Sequence, residues 1–343
     1  MPTFCRHNRF LERCPICSRT LQESTAKGSS GARSRAPART GAGRSSSSPR
    51  RPGGEGLRVR RETRAEDDGY RSELVPGLRS SEDAARLAGE IAFACTRLLA
   101  LAAQPTGLYA TAQQLAAHDL ERATWICVLS AYLSPLQGED AFAGVSVALE
   151  RSPAHGAPSW SAPRGAQGLP DLTGVELGPR TSHDPSRGSE TLAAYLQWVD
   201  RSGQSQSAAF TGDEAWSPER RFERLFERLA LPGLSRFARY DLLLTLGRLG
   251  LYAVRPATLA LAGARVPAAE DPTALAAKRV FGIGDPLLLE RRAAALAQAA
   301  GVPVEALDLA LANWAAPERA TLGFPSLQGE QALLDAALAA LIV

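Results

Sequence analysis

Leu229-Ala230-Leu231-Pro232-Gly233-Leu234-Ser235-Arg236-Phe237-Ala238-Arg239-Tyr240-Asp241 is the stretch whose reading decides the fold. A helical pattern leads into it. Ser217 and Pro218 read as N-cap and first helical residue, with Glu219 in the first turn. Phe222, Leu225, Phe226 and Leu229 then recur at helical spacing. Pro232-Gly233 breaks that helix, and Phe237, Tyr240, Leu243, Leu244 and Leu246 begin a second one almost at once. Helix, tight turn and helix make a hairpin whose turn can aim backbone N–H groups at a phosphate. Leu231, Gly233, Ser235, Arg236 and Arg239 are therefore candidate phosphate contacts.

Working outward, the rest of the chain reads as helical. A helix is expected from Ser81 to about Ala103, with Leu87, Ile91, Cys95, Leu98 and Ala102 on one face. Another is expected over 119–134, carrying Trp125, Val128, Leu129 and Tyr132, and further helical runs over 141–149 and 189–201. Residues 290–300, 305–314 and 331–343 complete the set. Pro- and Gly-rich Arg151 to Gly188 reads as a long surface loop whose two histidines, His155 and His183, are solvated. Ser202 to Asp213 reads as a polar loop, and Cys95 and Cys127 as small core residues. The fold class is all-α.

Past the hairpin, Asp271-Pro272 and Asp285-Pro286 are each a good N-cap followed by proline. Lys278 and Arg279 lie between them. This order resembles the helix-hairpin-helix DNA glycosylase superfamily, whose hairpin has the form Leu-Pro-Gly-(hydrophobic)-Gly. The chain keeps Leu231, Pro232, Gly233 and Leu234, and departs at Ser235, where a second glycine is expected. The resemblance implies a catalytic aspartate at a helix start. Asp271 is the first candidate and Asp285 the second, with Lys278 and Arg279 on DNA. It also implies a residue that fills the gap left by a flipped base, and Tyr132 and Gln137 occupy that place.

A narrower resemblance rests on Trp216 to Phe222 running into Phe226 to Gly233, on Arg279-Val280-Phe281-Gly282-Ile283-Gly284-Asp285, and on a Cys/His N-terminus. Together these look like the α-glutamyl/putrescinyl thymine pyrophosphorylase family, glycosylase-related proteins linked to hypermodified thymine in DNA. Three functions follow as expectations. The first is a glycosylase-like enzyme that flips a modified or hypermodified pyrimidine and cleaves its base–sugar bond with an Asp. The second is a transferase in which an amine displaces pyrophosphate from a hydroxymethyl pyrimidine. The third is a catalytically inert DNA-binding module.

The N-terminus divides from this helical domain, which is expected over 66–343. Residues 1–18 hold Cys5, His7, Cys14 and Cys17, a Cys-x-His and a Cys-x-x-Cys that can close a tetrahedral structural Zn²⁺ site. Residues 19–65, rich in Ser, Gly, Pro, Ala and Arg, read as a disordered basic linker. Residues 1–65 hold 15 Lys/Arg against 4 Asp/Glu, and the whole chain is only +3, so the remainder is acidic. DNA, with modified bases, is the expected partner. The sequence reads as lacking both a run of about 18 apolar residues and an apolar signal core, so no membrane span is expected and a cytoplasmic location is.

Overall fold

The computed structural model describes residues 65–152, 168–203, 205–261 and 271–342. The Cys5, His7, Cys14 and Cys17 motif, the basic linker, His155 and Gln204 lie outside the described residues. Twelve α-helices are found among the described residues, and no strand. They are α1 (Ser81–Ala103), α2 (Gly107–Leu115), α3 (Leu120–Leu133), α4 (Ala143–Glu150), α5 (Glu190–Arg201) and α6 (Gln206–Thr211). The second half holds α7 (Pro218–Arg228), α8 (Arg236–Arg248), α9 (Pro272–Phe281), α10 (Pro286–Ala299), α11 (Ala306–Ala315) and α12 (Gln331–Ile342).

Local capping sets most of the helix starts. The Ser80 hydroxyl accepts from Glu82 N, so the cap of α1 is Ser80, where the sequence reads Ser81 as the cap. Asp119 caps α3 through Arg122 N at 3.0 Å, and Ser217 caps α7 with Pro218 behind it. Each cap satisfies one of the amide groups a helix start leaves open. Two short helices escaped the sequence reading. The break at 104–107 leads straight into α2, and the polar loop after α5 contains α6, capped by Ser205. Both are short, and α6 is too polar to show an apolar stripe.

The core is built on α8. Ten of its residues, Arg236 and Ala238 to Leu246, are buried. A helix buried on every side cannot show the one-faced pattern of a surface helix. It packs on α3, α1 and α7, while α1 is covered on another side by α11 and α12. Trp125, Tyr195, Trp198, Phe210 and Tyr252 form a run of neighbouring rings, and Phe222, Phe226 and Tyr240 a second one at the hairpin. Cys95 and Cys127 are buried free thiols in this core. Helix α1, with the segment after it, is long and apolar enough to cross a membrane by length and composition, contrary to the sequence reading. Most of it is buried against other helices, as a core helix is.

Residues 251–261 turn back along the hairpin helices. Arg221 is buried and donates to the Thr211, Asp213 and Ala253 carbonyls, although the alternating Arg and Glu of α7 read in the sequence as a salt-bridged, solvated face. Tyr240 OH donates to Thr258 O at 2.9 Å. Gly77 N donates to Val280 O at 2.9 Å, and a side chain at Gly77 would run into the Arg279 carbonyl. Only glycine permits that approach, which seats residues 75–78 on the end of α9.

Candidate functional site at the hairpin

The hairpin turn lies at the surface. Pro232 is exposed, and Leu231, Gly233, Leu234 and Ser235 are half-buried. Gly233 takes a φ of +79°, the left-handed turn that glycine allows at little cost. A Cβ there would also collide with the Thr191 hydroxyl on α5. Ser235, by contrast, has φ −62° and ψ 160°. The missing second glycine therefore costs no backbone strain: Ser235 is the extended N-cap of α8, and its hydroxyl accepts from Ala238 N. The backbone N–H groups of Gly233, Arg236 and Phe237 have no hydrogen-bond partner among the described residues. Open amides at a helix start are what an anion needs.

Behind the turn runs the segment 178–184, squeezed between the hairpin and the end of α3. Ser182 N donates to Tyr132 O at 2.8 Å, and Ser235 N donates to the Ser182 hydroxyl at 3.2 Å. The Ser182 and Ser235 hydroxyls also bond to each other. His183 is buried, with Nδ1 2.9 Å from the Tyr132 hydroxyl, so it is not a solvated loop histidine. Burial pushes its pKa down against the opposing pull of Asp184. Ser134, closing α3, has φ +61° and ψ 134°, a conformation serine rarely adopts. Its hydroxyl accepts from Arg180 N at 3.3 Å.

Beneath the turn is a buried ion network. Arg236 Nε donates to Asp271 Oδ2 at 2.7 Å, its Nη1 to Leu259 O at 2.8 Å, and its Nη2 to Asp308 Oδ1. The other Asp308 oxygen accepts from Arg180 Nη2 at 3.2 Å. All four side chains are nearly or wholly buried. Burial would lower the Arg236 pKa, but Asp308 and then Asp271 outweigh it and raise it above the ordinary value. At the edge of the network Glu290 accepts from Leu259 N at 2.8 Å and Leu261 N at 2.7 Å. Burial raises its pKa, with those two amides opposing.

The structure thus brings Asp271 to the hairpin, despite the 38 positions between it and Gly233, through a single guanidinium. Asp271 is also fully engaged, since its second oxygen caps α9 at Ala274 N, 2.8 Å away. Asp285 stands apart and exposed, with one oxygen accepting from Leu287 N and Leu288 N. Arg236 and Arg239 are both buried, 3% and 4% exposed, which does not fit the direct phosphate contact expected of them. Arg239 donates to the Phe226 and Ser235 carbonyls and lies over the Phe226 ring. Lys278 is half-buried and Arg279 exposed on α9. Tyr132 and Gln137, the expected gap-filling pair, are used internally. Gln137 donates to Arg319 O and accepts from Thr321 N. A separate cleft of about 600 Å³, lined by Glu139, Asp140, Phe142 and Phe324 among others, includes none of these residues.

Residues 180–322 match the family model of alpha-glutamyl/putrescinyl thymine pyrophosphorylase clade 3. No curated protein matches the chain, and no solved structure does. The pyrophosphorylase match opens on Arg180 itself and closes at Leu322. It encloses the hairpin, Ser182, His183 and all four members of the ion network. It also encloses Trp216 to Gly233 and Arg279 to Asp285, the strings on which the resemblance rests. Sequence reading missed Asp308 and Arg180. Asp308 sits between leucines and alanines in Ala306-Leu307-Asp308-Leu309-Ala310, and a carboxylate inside an apolar run is the one local signal that could have drawn attention to it.

Proposed function

We propose that this chain modifies thymine-derived bases in DNA by amine-for-pyrophosphate exchange, holding the DNA backbone at the hairpin turn. In that reaction an amine nitrogen bonds to the methylene carbon of a pyrophosphorylated hydroxymethyl pyrimidine. The carbon–oxygen bond breaks, pyrophosphate leaves with the electron pair, and the amine loses a proton. The observation that carries the reading is the match of residues 180–322 to the pyrophosphorylase clade, laid over the segment that builds the hairpin and the network beneath it. The open amides of Gly233, Arg236 and Phe237 supply the phosphate contact through backbone, while the Arg236 side chain holds the turn from below.

The hydrolytic alternative needs a carboxylate free to stabilise positive charge on a sugar. Asp271 has one oxygen on Arg236 and the other on a helix start, which weighs against it in that role. The test is incubation of the full chain with DNA carrying a pyrophosphorylated hydroxymethyl pyrimidine and a primary amine, followed by mass analysis of the nucleosides and assay of pyrophosphate. An amine-substituted base and pyrophosphate in equal amounts are expected. Abasic sites without adduct would reinstate the glycosylase reading. DNA binding without either product would leave an inert module.

A further inference from the structure

Among the described residues three large apolar side chains stand in solvent: Leu99, Leu287 and Leu288. The last two are neighbours, 69% and 39% exposed, in the first turn of α10. The helix does not need them there, because Leu289, Ala293, Leu296 and Ala297 already bury its inner face. Nor is the tip loose. Pro286 starts the helix, and the Asp285 carboxylate accepts from Leu287 N and Leu288 N, each at 3.0 Å. The two leucines are thus presented rigidly to the outside.

The tip is tied to the hairpin turn by two polar links through Leu259. Glu290, in the turn after the leucines, accepts from Leu259 N. The Leu259 carbonyl accepts from Arg236 Nη1. Arg236 is the first residue of α8, directly behind the turn that offers open amides. Charge around the pair is mostly positive, although the exposed Asp285 caps the tip itself. Arg291 and Arg292 follow Leu287 and Leu288 at helical i,i+4 spacing, and Lys278 and Arg279 close α9 just before the Gly282–Gly284 turn. The window 278–292 holds four cations against two carboxylates. One of those carboxylates, Glu290, is turned inward onto backbone amides.

We propose that Leu287, with Leu288 beside it, is an apolar wedge that enters a base step of duplex DNA while the hairpin turn holds the phosphates. This rests on the DNA reading above and assigns it a residue pair. Exposed leucine gains by leaving water, and that gain offsets the unstacking of one base step. A base that is to react must leave the stack, so chemistry on a pyrimidine ring needs some such device. The cations flanking the pair match phosphates on either side of the opened step, which an apolar partner would not require.

The experiment uses the full chain and duplexes carrying 2-aminopurine, which brightens when unstacked. Wild-type protein is expected to raise the fluorescence several-fold. The double variant Leu287→Ala/Leu288→Ala is expected to lose most of that rise and to bind about tenfold more weakly, with an unchanged dependence on salt. Leu99→Ala, on the remaining exposed leucine, is expected to behave as wild type. Full fluorescence and affinity in the double variant would overturn the wedge while leaving the DNA reading intact. So would a wild-type dimer, seen by sedimentation, that the double variant converts to monomer without a change in fluorescence. Wild-type protein that does not bind DNA at all would overturn both.

Discussion

Take away the Arg236 guanidinium, and Asp271 and Asp308 are left inside the protein with their charges facing each other. Breaking a buried ion pair from one side typically costs about 3–5 kcal/mol, so Arg236→Ala should lower the unfolding free energy by roughly that amount in a urea titration. Asp308→Asn should cost less, since Arg236 keeps Asp271 and Leu259 O. A variant Arg236→Ala as stable as wild type would mean the network contributes nothing. His183 makes the pH prediction. Its pKa is lowered in the fold, by burial first, so the unfolded chain takes up its proton at a higher pH than the folded one. The stability it contributes is present above its ordinary value near 6.5 and drains away as pH falls through the lower, folded value. Comparison with His183→Gln at pH 7 and pH 5 should therefore show wild type losing more stability on acidification than the variant; parallel losses would contradict it. None of these roles was readable from the residues. Arg236 and Arg239 look like phosphate contacts in the sequence because they are charged and follow a turn. Their direction is set by Asp271, Asp308 and the Phe226 carbonyl, which come from elsewhere in the chain.

Among the elements, the hairpin shows where sequence sufficed and where it did not. Caps are local, so Ser217-Pro218 and Asp271-Pro272 announced α7 and α9 with their starts in place, whereas α10 starts at Pro286, four residues before the 290 expected from its apolar pattern. The turn itself was legible from Pro232-Gly233. The demand for a left-handed residue at 235 was not met, because Gly233 alone takes that geometry and Ser235 instead caps α8 and joins Ser182. Gly233→Ala therefore combines two faults, a strained backbone and a clash with Thr191 on α5. It should cost about 1–3 kcal/mol of stability and shift the open amides of the turn. Ser235→Ala keeps the backbone and removes only the cap and the hydrogen bonds to Ser182, so a decrease of about 1 kcal/mol is expected. Thermal unfolding of the two variants should rank them in that order. A Gly233→Ala protein as stable as wild type, with unaltered DNA affinity, would mean the turn is free to reshape and is not built around its glycine.

Across the whole molecule the charge is split. Residues 1–65 carry about +11 and the rest about −8, while duplex DNA is drawn to a protein through Lys and Arg. An acidic helical domain repels such a polymer, though salt confines that repulsion to within about 8 Å at physiological ionic strength, and it attracts DNA only where cations outnumber acids locally. Lys278, Arg279, Arg291 and Arg292 form such a place beside the hairpin. That cluster is small, so most of the attraction must come from the N-terminal arginines. Six of these, Arg33, Arg35, Arg39, Arg44, Arg50 and Arg51, fall within nineteen positions. Converting all six to glutamine should weaken DNA binding alike for every sequence. The slope of log affinity against log salt should also flatten, by roughly 0.9 for each phosphate that an arginine no longer neutralises and hence by at most about 5. Turnover at saturating DNA should not change, because the amides at the turn and the apolar helix tip bind with almost no salt dependence. A variant with the wild-type slope would show that the arginine-rich segment does not touch the backbone. The acidic domain would then have to hold DNA through the four cations of the 278–292 window and the open amides of the turn alone.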